Sequence, residues 1–431
     1  MRILLVTQYW HPENGVPQRR WSWLSGVLRD AGHEMFVIAP PPRSTIAKKI
    51  SFQSAKDTLK WSVDNDRAER IYRSYRPKSG NSISEKMAEQ ILVAAGQIAI
   101  GRRVVREVKP DLIIGTVPAI PTAVVAFILA KLGRTTYLID LRDAWPDLLR
   151  QSDKWNAGVG KKSIREMIAK LGPLQIISRL TEVALNLVLR NSSAVLVTSA
   201  NLQKNLASRR SLKKQGSHPR IEVVRNVFPA EHSRKKQIGR AKKQDETSLN
   251  VLYAGTIGRA QNLLNALLAA KLAEESGVRL SVTFVGAGAS KDHLKEQARE
   301  LGVDATFVDQ QLPGELDCFY AWADTALVHL TEWEPLERTV PSKTYELMEI
   351  GIHISAVAAG EAAALVEDLK AGDVVEPENP RQLAELWIEL ARNRSRLFIG
   401  DTGRKWVKEQ REVVAPSVLL RTINDVGSPE V

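Results

Sequence analysis

The stretch around which we interpret this chain is VPSKTYELMEIG, residues 340–351. Pro341 disfavours a helical conformation in the residue before it, so the stretch predicts a helix that begins at or just after this proline. Ser342 is a good N-cap residue, and Gly351 suits the left-handed position that ends a helix. The sequence therefore predicts a short helix that follows a proline turn and stops at a glycine.

The first turns of this helix carry a cation and a carboxylate. The unpaired N–H groups at a helix start attract anions, and Lys343 adds a full positive charge beside them. Glu346 follows three residues later and therefore projects from the same face. A cation for phosphate and a carboxylate for sugar hydroxyls are typical of a nucleotide-sugar site. A capped surface helix with one ion pair fits the same residues about equally well.

Outside this stretch, short apolar runs alternate with helical patterns, which is typical of parallel sheets with crossover helices. An apolar run at residues 2–7 is followed by turn residues and by a helix from about Pro17, as in a Rossmann-like opening. A second series of this kind starts near Leu249. Its predicted strands are residues 250–253, 280–285, 304–308, 325–330 and 352–357. The chain is therefore predicted to be an α/β protein.

Four stretches, in this order, resemble the retaining glycosyltransferases of family 4, in the branch that builds bacterial surface polysaccharides. They are the N-terminal strand and loop at 2–20, DLRDAWP at 140–146, YAGTIG at 253–258, and the helical stretch at 341–351. The resemblance covers nearly the whole chain. It implies the GT-B architecture, in which two Rossmann-like, doubly wound domains face a cleft and a final helix crosses back to the first domain.

The predicted domain boundaries follow the composition and the resemblance. Residues 1–228 are the acceptor-side, N-terminal domain, and residues 249–402 are the C-terminal domain that binds the nucleotide sugar. Residues 229–248 are polar, charged and poor in large apolar side chains, as expected of a basic linker. Residues 403–431 are predicted to form the helix that crosses back.

The donor site is predicted in the C-terminal domain. Small residues after its first strand let the backbone approach a diphosphate, and Arg259 offers a forked contact to the phosphate oxygens. The resemblance implies that the nucleobase lies near the end of the third strand and that Glu346 binds the ribose hydroxyls. The predicted donor-binding residues are Gly255, Gly258, Arg259, Val308, Ser342, Lys343 and Glu346.

The acceptor site is predicted in the N-terminal domain. Asp140 and Asp143 follow a predicted strand, at the edge where parallel sheets bind ligands. A local salt bridge with Arg142 is the alternative, since charges that are buried unpaired are costly. Asp143 is the residue expected to bind or deprotonate the acceptor hydroxyl. The predicted acceptor-binding residues are Gly15, Arg19, Arg20, Asp140 and Asp143, and the predicted catalytic residues are Asp143, Arg259 and Lys343.

One position departs from the family's pattern. Members commonly carry two glutamates separated by seven residues, and the second corresponds to Glu346. Counting back, the first place holds Arg338, with Glu337 one residue away. The carboxylate that the resemblance assigns to the donor sugar is therefore missing or shifted. This leaves the identity of the sugar open, and with it the alternative of a non-catalytic binding protein.

The composition restricts the partners and cofactors. Lysine and arginine number 61 against 49 aspartates and glutamates, and the net charge of +12 favours anionic partners. The lone cysteine, Cys318, makes neither an internal disulfide nor a multi-cysteine metal site. No dense carboxylate cluster suggests magnesium or manganese, so we expect no cofactor and no metal. No recurrent motif indicates nucleic acid as a partner.

Membrane contact is expected only at a surface. No apolar run reaches the ~18 residues of a membrane span, and the run after Met1 is too short for a signal peptide. We therefore expect a cytoplasmic protein. Residues 155–191 are rich in basic and aliphatic side chains, as in a stretch that lies on an anionic bilayer, although a long helix packed on the sheet fits as well.

The predicted function combines these features. We expect a glycosyltransferase that moves a sugar, with retention, from a uridine-linked donor to a lipid-linked or glycan acceptor in cell-envelope or capsule synthesis. An epimerase or hydrolase that acts on nucleotide sugars with the same scaffold is one alternative. A non-catalytic basic binding protein is the other.

Overall fold

The computed structural model describes residues 1–11, 13, 15–42, 62–63, 69–77, 83–145, 147–150, 173–213, 218–229 and 247–427. The chain divides into two compact units. Unit 1 comprises Met1–Pro146, Gln175–Phe228 and Val413–Val431, and unit 2 comprises Asp147–Leu174 and Pro229–Glu412. The last segment of the chain therefore belongs to unit 1, although it follows unit 2 in sequence.

Unit 1 is built on an eight-stranded sheet. Its strands are β1 (Arg2–Val6), β2 (Glu34–Ala39), β3 (Ser62–Val63), β4 (Arg70–Arg73), β5 (Leu112–Val117), β6 (Thr136–Leu141), β7 (Ala194–Val197) and β8 (Arg220–Val223). The strand order is β3-β4-β2-β1-β5-β6-β7-β8. Neighbouring strands are parallel except for β3 and β4, which pair antiparallel.

Helices cover this sheet. They are Val16–Asp30, Ile83–Val108, Ile120–Gly133, Pro173–Asn191, Ala200–Ser208 and Ala415–Gly427. The central strand β1 is fully buried from Ile3 to Val6. Burial on both faces explains why β1 reads as an unbroken apolar run rather than an alternating one.

Unit 2 is built on a six-stranded, entirely parallel sheet. Its strands are β9 (Ser248–Ala254), β10 (Arg279–Val285), β11 (Ala305–Val308), β12 (Thr325–His329), β13 (His353–Val357) and β14 (Gly372–Val375). The order is β11-β10-β9-β12-β13-β14, the doubly wound arrangement. The five strands predicted from the sequence correspond to β9–β13. The predicted α/β class with two doubly wound sheets is confirmed.

The helices of unit 2 lie between and after these strands. They are Asp147–Arg150, Leu264–Glu275, Lys291–Leu301, Asp317–Trp322, Ser342–Ile350, Gly360–Asp368, Pro380–Arg392 and Thr402–Glu409. A π-helical turn at Gln410–Val414 connects the last of them to the helix Ala415–Gly427.

The helix at residues 342–350 forms where the sequence predicts it, with one difference at its start. Pro341 occupies the N-cap position and Ser342 is the first helical residue, with no side-chain hydrogen bond capping this end. The prediction that Ser342 is the N-cap is therefore wrong by one position, because the fixed φ of proline suits the residue that leads into the helix. Gly351 ends the helix with a left-handed φ of 77°.

The strand order indicates where each sheet is expected to bind ligands. The direction in which successive strands are added reverses beside β1 in unit 1 and beside β9 in unit 2. Doubly wound sheets bind ligands at such a point, outside the carboxyl ends of the strands. In unit 2, the segments at this point are the loops that follow β9 and β12. These loops contain Gly255, Arg259 and the approach to Lys343.

Several predictions from the sequence concern residues that the structure does not describe. They include most of residues 40–82, where a run of three prolines and a basic polar stretch predict an irregular excursion from the sheet. They also include the first part of the basic stretch at 155–191 and nearly all of the linker at 229–248. The described part of the basic stretch is the helix Pro173–Asn191.

Candidate functional site

The cation and carboxylate of the helix Ser342–Ile350 form a closed cluster with a tyrosine. Lys343 Nζ lies 3.0 Å from Glu346 Oε2 and 3.1 Å from the hydroxyl oxygen of Tyr320. The tyrosine hydroxyl in turn donates to Glu346 Oε1 at 3.0 Å. Each of the three side chains therefore holds the other two in position.

Burial makes this cluster rigid and leaves it one open donor. Tyr320 is 1% exposed and Glu346 is 9% exposed, whereas 24% of the Lys343 side chain remains accessible. A carboxylate buried this deeply needs hydrogen bonds and an opposite charge, which the tyrosine and lysine supply. An ammonium group has three N–H donors, and the contacts within the cluster use two of them. In the part of the chain that the structure describes, the third has no acceptor, so it can donate to a ligand.

Tyr320 is the member of the cluster that sequence reasoning missed. It lies in the short helix Asp317–Trp322, which contains no recognisable motif. Tyr320 and Lys343 lie on different helices, so no helical spacing in the sequence indicates that they meet. Only the packing of the two helices brings the hydroxyl to the cluster.

Glycines bring together the loops after β9 and β10. A Cβ at Gly286 would lie 1.9 Å from the carbonyl oxygen of Gly255, and a Cβ at Gly288 would lie 2.0 Å from that of Ile257. The Ile257 N–H donates to the carbonyl of Ala287 at 3.0 Å. From the sequence, this glycine pair is no more than a turn. In the structure it is what allows the Gly255–Gly258 backbone to reach its position.

Arg259 follows in a 3-10 turn, Arg259–Gln261, and lines a cavity of about 400 Å³. Its Nε is buried and has no hydrogen-bond partner among the described residues. Leaving a buried charged donor unpaired is costly, so the position suits an anionic ligand. The cavity's described lining includes Gly258 but neither Lys343 nor Glu346.

Val308, the predicted nucleobase contact, ends β11 with its carbonyl already occupied. It accepts from the Gly286 N–H at 3.0 Å and from Lys291 Nζ at 2.9 Å. Lys291 also pairs with Asp309 at 2.6 Å. A carbonyl oxygen has two lone pairs, so both of this one are used within unit 2.

The histidine at the end of β12 is uncharged. His329 is 2% exposed, and its Nε2 lies 3.0 Å from the side-chain amide of Asn265. Burial lowers the pKa of His329 to about 3. Since the imidazole stays neutral above that pH, the positive charge at this edge comes from arginine and lysine.

Arg338 stands at the place of the family's first glutamate. It ends the 3-10 turn Glu334–Arg338, and its guanidinium pairs with the carboxylates of Asp147 and Glu334. Only 11% of its side chain is exposed. The departure from the family's pattern is therefore a largely buried cation held between two carboxylates.

In unit 1, the predicted acceptor residues Arg20 and Asp140 form a fully buried ion pair. Arg20 Nη2 lies 2.8 Å from Asp140 Oδ1, and both side chains are 0% exposed. Arg20 also donates to the carbonyl of Val224 at 2.8 Å, and the indole of Trp21 donates to Asp140 Oδ2 at 2.7 Å. This network ties the helix Val16–Asp30 to β6 and to the segment after β8.

The other predicted acceptor residues lie in two places. Gly15 is the N-cap residue of the helix Val16–Asp30, and the Arg19 guanidinium stacks 4.7 Å above the ring of Phe228. Asp143 is half-buried in the loop after β6, beside Arg142. Burial raises the pKa of Asp143, and the positive charge of Arg142 opposes this rise.

Two features are absent from the described part of the chain. Among those residues, no group of three or more histidine, cysteine, aspartate or glutamate side chains is placed to hold a metal ion. None of the described helices is both long and apolar enough to cross a membrane.

One part of the chain matches the model of a known protein family. Residues 234–412 match the family model described as Glycosyl transferases group 1. A comparison of the sequence with curated proteins finds no match.

Solved structures of similar fold extend over the whole chain. Sucrose-phosphate synthase from Thermosynechococcus elongatus has a TM-score of 0.69 at 15% identity, over 98% of this chain and 98% of its own. Anabaena Alr3699/HepE, solved in complex with UDP-glucose, has a TM-score of 0.63 at 16% identity, over 99% of this chain and 100% of its own. WaaG, a glycosyltransferase involved in lipopolysaccharide biosynthesis, has a TM-score of 0.55 at 13% identity, over 99% of this chain and 100% of its own. The predicted resemblance to GT-B glycosyltransferases is confirmed in the fold.

Proposed function

Because residues 234–412 match the family model described as Glycosyl transferases group 1, we propose that this chain transfers a sugar from a nucleotide sugar to an acceptor hydroxyl. The observation that carries the proposal is the closed cluster of Lys343, Glu346 and Tyr320 at the ligand edge of unit 2. We propose a UDP-linked hexose as the donor, supported by HepE, which shares the fold and was solved with UDP-glucose.

The cluster supplies what the departure of a diphosphate requires. As the bond between the sugar and the diphosphate breaks, negative charge develops on the leaving group, and preorganised cations stabilise it. The open N–H of Lys343 and the unpaired Nε of Arg259 are the proposed donors. Gly255, Gly258 and Ser342 are proposed to bring backbone groups to the phosphates, and Val308 to face the nucleobase. No metal or other cofactor is needed in this scheme.

Glu346 and the acceptor residues complete the proposal. Glu346 is proposed to accept from the ribose hydroxyls, as the resemblance implies for the second glutamate of the family's pattern. Gly15, Arg19 and Asp143 are proposed to face the acceptor. Retention of configuration rests on the family resemblance alone.

A thermal-shift experiment tests the donor proposal directly. UDP and UDP-linked sugars should raise the melting temperature, since a ligand at 100 times its Kd stabilises the native state by about 2.7 kcal/mol. ADP and GDP serve as controls for general diphosphate binding. A panel in which no nucleoside diphosphate or nucleotide sugar shifts the melting temperature would refute the proposal.

Asp143 is proposed to take the proton of the acceptor hydroxyl. Because burial raises the pKa of Asp143 above the ordinary 3.8, the proton-accepting carboxylate forms only as the pH passes that raised value. The transfer rate should therefore rise with pH through it, and Asp143→Asn should lower kcat about 10²–10⁴-fold. A pH profile of kcat at saturating donor measures this effect.

A stability measurement gives the matching control for Asp143. With a raised pKa in the folded state, the wild type loses stability as the pH rises from 3.8 to the raised value, because the unfolded state ionises first. Asp143→Asn should lack this loss while binding UDP normally. A variant with wild-type kcat at every pH would rule out the proton-accepting role.

The acceptor is proposed to be a lipid-linked intermediate or a glycan of the cell envelope or capsule, reached from the cytoplasmic face of an anionic membrane. The support is an apolar stripe on the helix Pro173–Asn191, where Leu180, Val183 and Leu187 are 63%, 65% and 43% exposed. Their spacing places them on one face, and the net charge of +12 favours anionic lipid. The protein should therefore sediment with anionic vesicles but not with neutral ones. If the protein is absent from the pellet of anionic vesicles, the proposed membrane contact is wrong.

The position of Arg338 favours one second candidate, a protein that binds a nucleotide sugar without transferring it. Its pairing with Asp147 and Glu334 replaces the carboxylate that the family commonly presents to the sugar. Product analysis with and without added lipid acceptor separates the candidates. Transfer requires a glycosylated acceptor, a hydrolase or epimerase changes the sugar without one, and a binding protein does neither.

A further inference from the structure

Apart from Gly258 and Arg259, the cavity beside Arg259 is lined by residues to which the donor proposal gives no role. It measures about 400 Å³, within the roughly 300–1,000 Å³ typical of small-ligand sites. It lies between the loops after β9 and β12 and the helix Lys291–Leu301. Its polar lining includes Arg259, Asn262, Ser290, His293, Thr331 and Glu378.

Two hydrogen-bond donors in the lining of the cavity have no acceptor. Both Arg259 Nε and Ser290 Oγ are buried and without a hydrogen-bond partner among the described residues. Ser290 precedes the helix Lys291–Leu301, yet its hydroxyl does not cap that helix. Buried polar atoms normally have a partner, so two orphan donors on one cavity point to a ligand that carries an oxyanion.

The lining also offers a carboxylate acceptor that is held in place. The Glu378 carboxylate accepts from the Asn262 amide and from the Thr331 hydroxyl. Asn262 and Glu378 both have left-handed backbones, with φ of 38° and 58°. Non-glycine residues rarely adopt this conformation, and such strain is concentrated where a side chain must be held for function.

The remaining lining suits a sugar ring. Trp333 supplies an apolar aromatic surface, and Glu332 adds a second carboxylate to the lining. Fixed carboxylates accept hydrogen bonds from hydroxyl groups, while an aromatic face covers the apolar side of a ring. Two carboxylates would repel a uronic acid, so the ring is expected to be neutral.

We propose that this cavity binds a neutral sugar that carries a phosphate group, with the phosphate at Arg259 and Ser290 and the sugar hydroxyls at Glu378. Two sources have this chemistry: the sugar phosphate part of the nucleotide-sugar donor, and a free sugar phosphate. In the first case the inference rests on the proposed function and locates the transferred sugar. In the second it is a separate site.

Calorimetric titration of the full chain with glucose 1-phosphate, UDP and UDP-glucose tests the site. The variant carries Ser290→Ala and Glu378→Gln, and Arg259 is left unchanged because the donor proposal also uses it. The matched control carries Ser276→Ala and Glu275→Gln, which make the same chemical changes at exposed positions outside the cavity. The melting temperature reports whether each variant is folded.

The cavity variant should bind glucose 1-phosphate, or UDP-glucose, about tenfold more weakly than the control does, while its melting temperature stays at that of the control. Glucose 1-phosphate that still binds at saturating UDP-glucose identifies a separate site, and mutual exclusion identifies the donor's own sugar. Equal affinities of variant and control for both sugar ligands would overturn the inference. If the wild type does not bind UDP, the donor proposal is overturned instead. The cavity proposal is then tested by glucose 1-phosphate alone, through its affinity for the cavity variant and for the control.

Discussion

Replacing Lys343 with alanine is expected to lower kcat/KM for sugar transfer about 10²–10³-fold, the usual effect of removing one preorganised donor from a developing negative charge. The substitution removes the ammonium that lies 3.0 Å from Glu346 and whose third donor is available to the diphosphate. It also leaves Glu346 with Tyr320 as its remaining partner in the cluster. Steady-state kinetics with the donor identified by thermal shift measure the effect.

A graded series separates the charge from its positioning. Tyr320→Phe keeps the cation but removes both the acceptor for Lys343 and the donor for Glu346. It should therefore reduce kcat/KM about tenfold, less than the loss of the charge itself. Lys405→Ala is the control, because it breaks an exposed lysine–aspartate pair on the helix Thr402–Glu409 and should leave turnover unchanged. Wild-type turnover in Lys343→Ala would contradict the assignment of the donor site.

Replacing Arg20 with leucine is expected to destabilise the native state by about 3–5 kcal/mol, because it leaves the partner carboxylate buried and unpaired. Asp140 is 0% exposed and would keep the Trp21 indole, a neutral donor, in place of the guanidinium. The carbonyl of Val224 would lose its donor as well. Urea denaturation followed by tryptophan fluorescence measures the loss.

The reverse experiment tests the reason for this loss. Arg20→Leu combined with Asp140→Leu removes both charges, and its cost should be clearly smaller than the sum of the two single substitutions, since the residues are in direct contact. Arg103→Leu, which breaks an exposed pair with Glu107, should change the denaturation midpoint little. An Arg20→Leu variant with the wild-type midpoint would show that the pair does not stabilise unit 1.

The burial of Arg20 also bears on the acceptor prediction. Arg19 and Arg20 are adjacent in sequence, and nothing local separates their roles. In the structure, Arg19 stacks on Phe228 while Arg20 is enclosed with Asp140. Gly15, Arg19 and Asp143 therefore remain the acceptor residues open to mutational tests of activity, whereas changes at Arg20 or Asp140 would first lower stability.

The sequence by itself determined the features that depend on neighbouring residues. Alternating apolar runs predicted strands β9–β13, and Pro341 with Gly351 bounded the helix at 342–350 to within one residue. The i, i+3 spacing of Lys343 and Glu346 sufficed to place them together, because helix geometry fixes that distance. Local backbone physics is enough for all of these.

Only the tertiary structure decided which distant residues meet. Tyr320 joins the cluster, Gly286 and Gly288 admit the Gly255 loop, and Arg338 faces Asp147 through contacts between segments far apart in the chain. Such contacts depend on how helices and loops pack at the carboxyl edge of a sheet. The spacing of residues within one segment does not predict which other segments pack against it. For the same reason, two adjacent arginines on one helix came to lie in different surroundings.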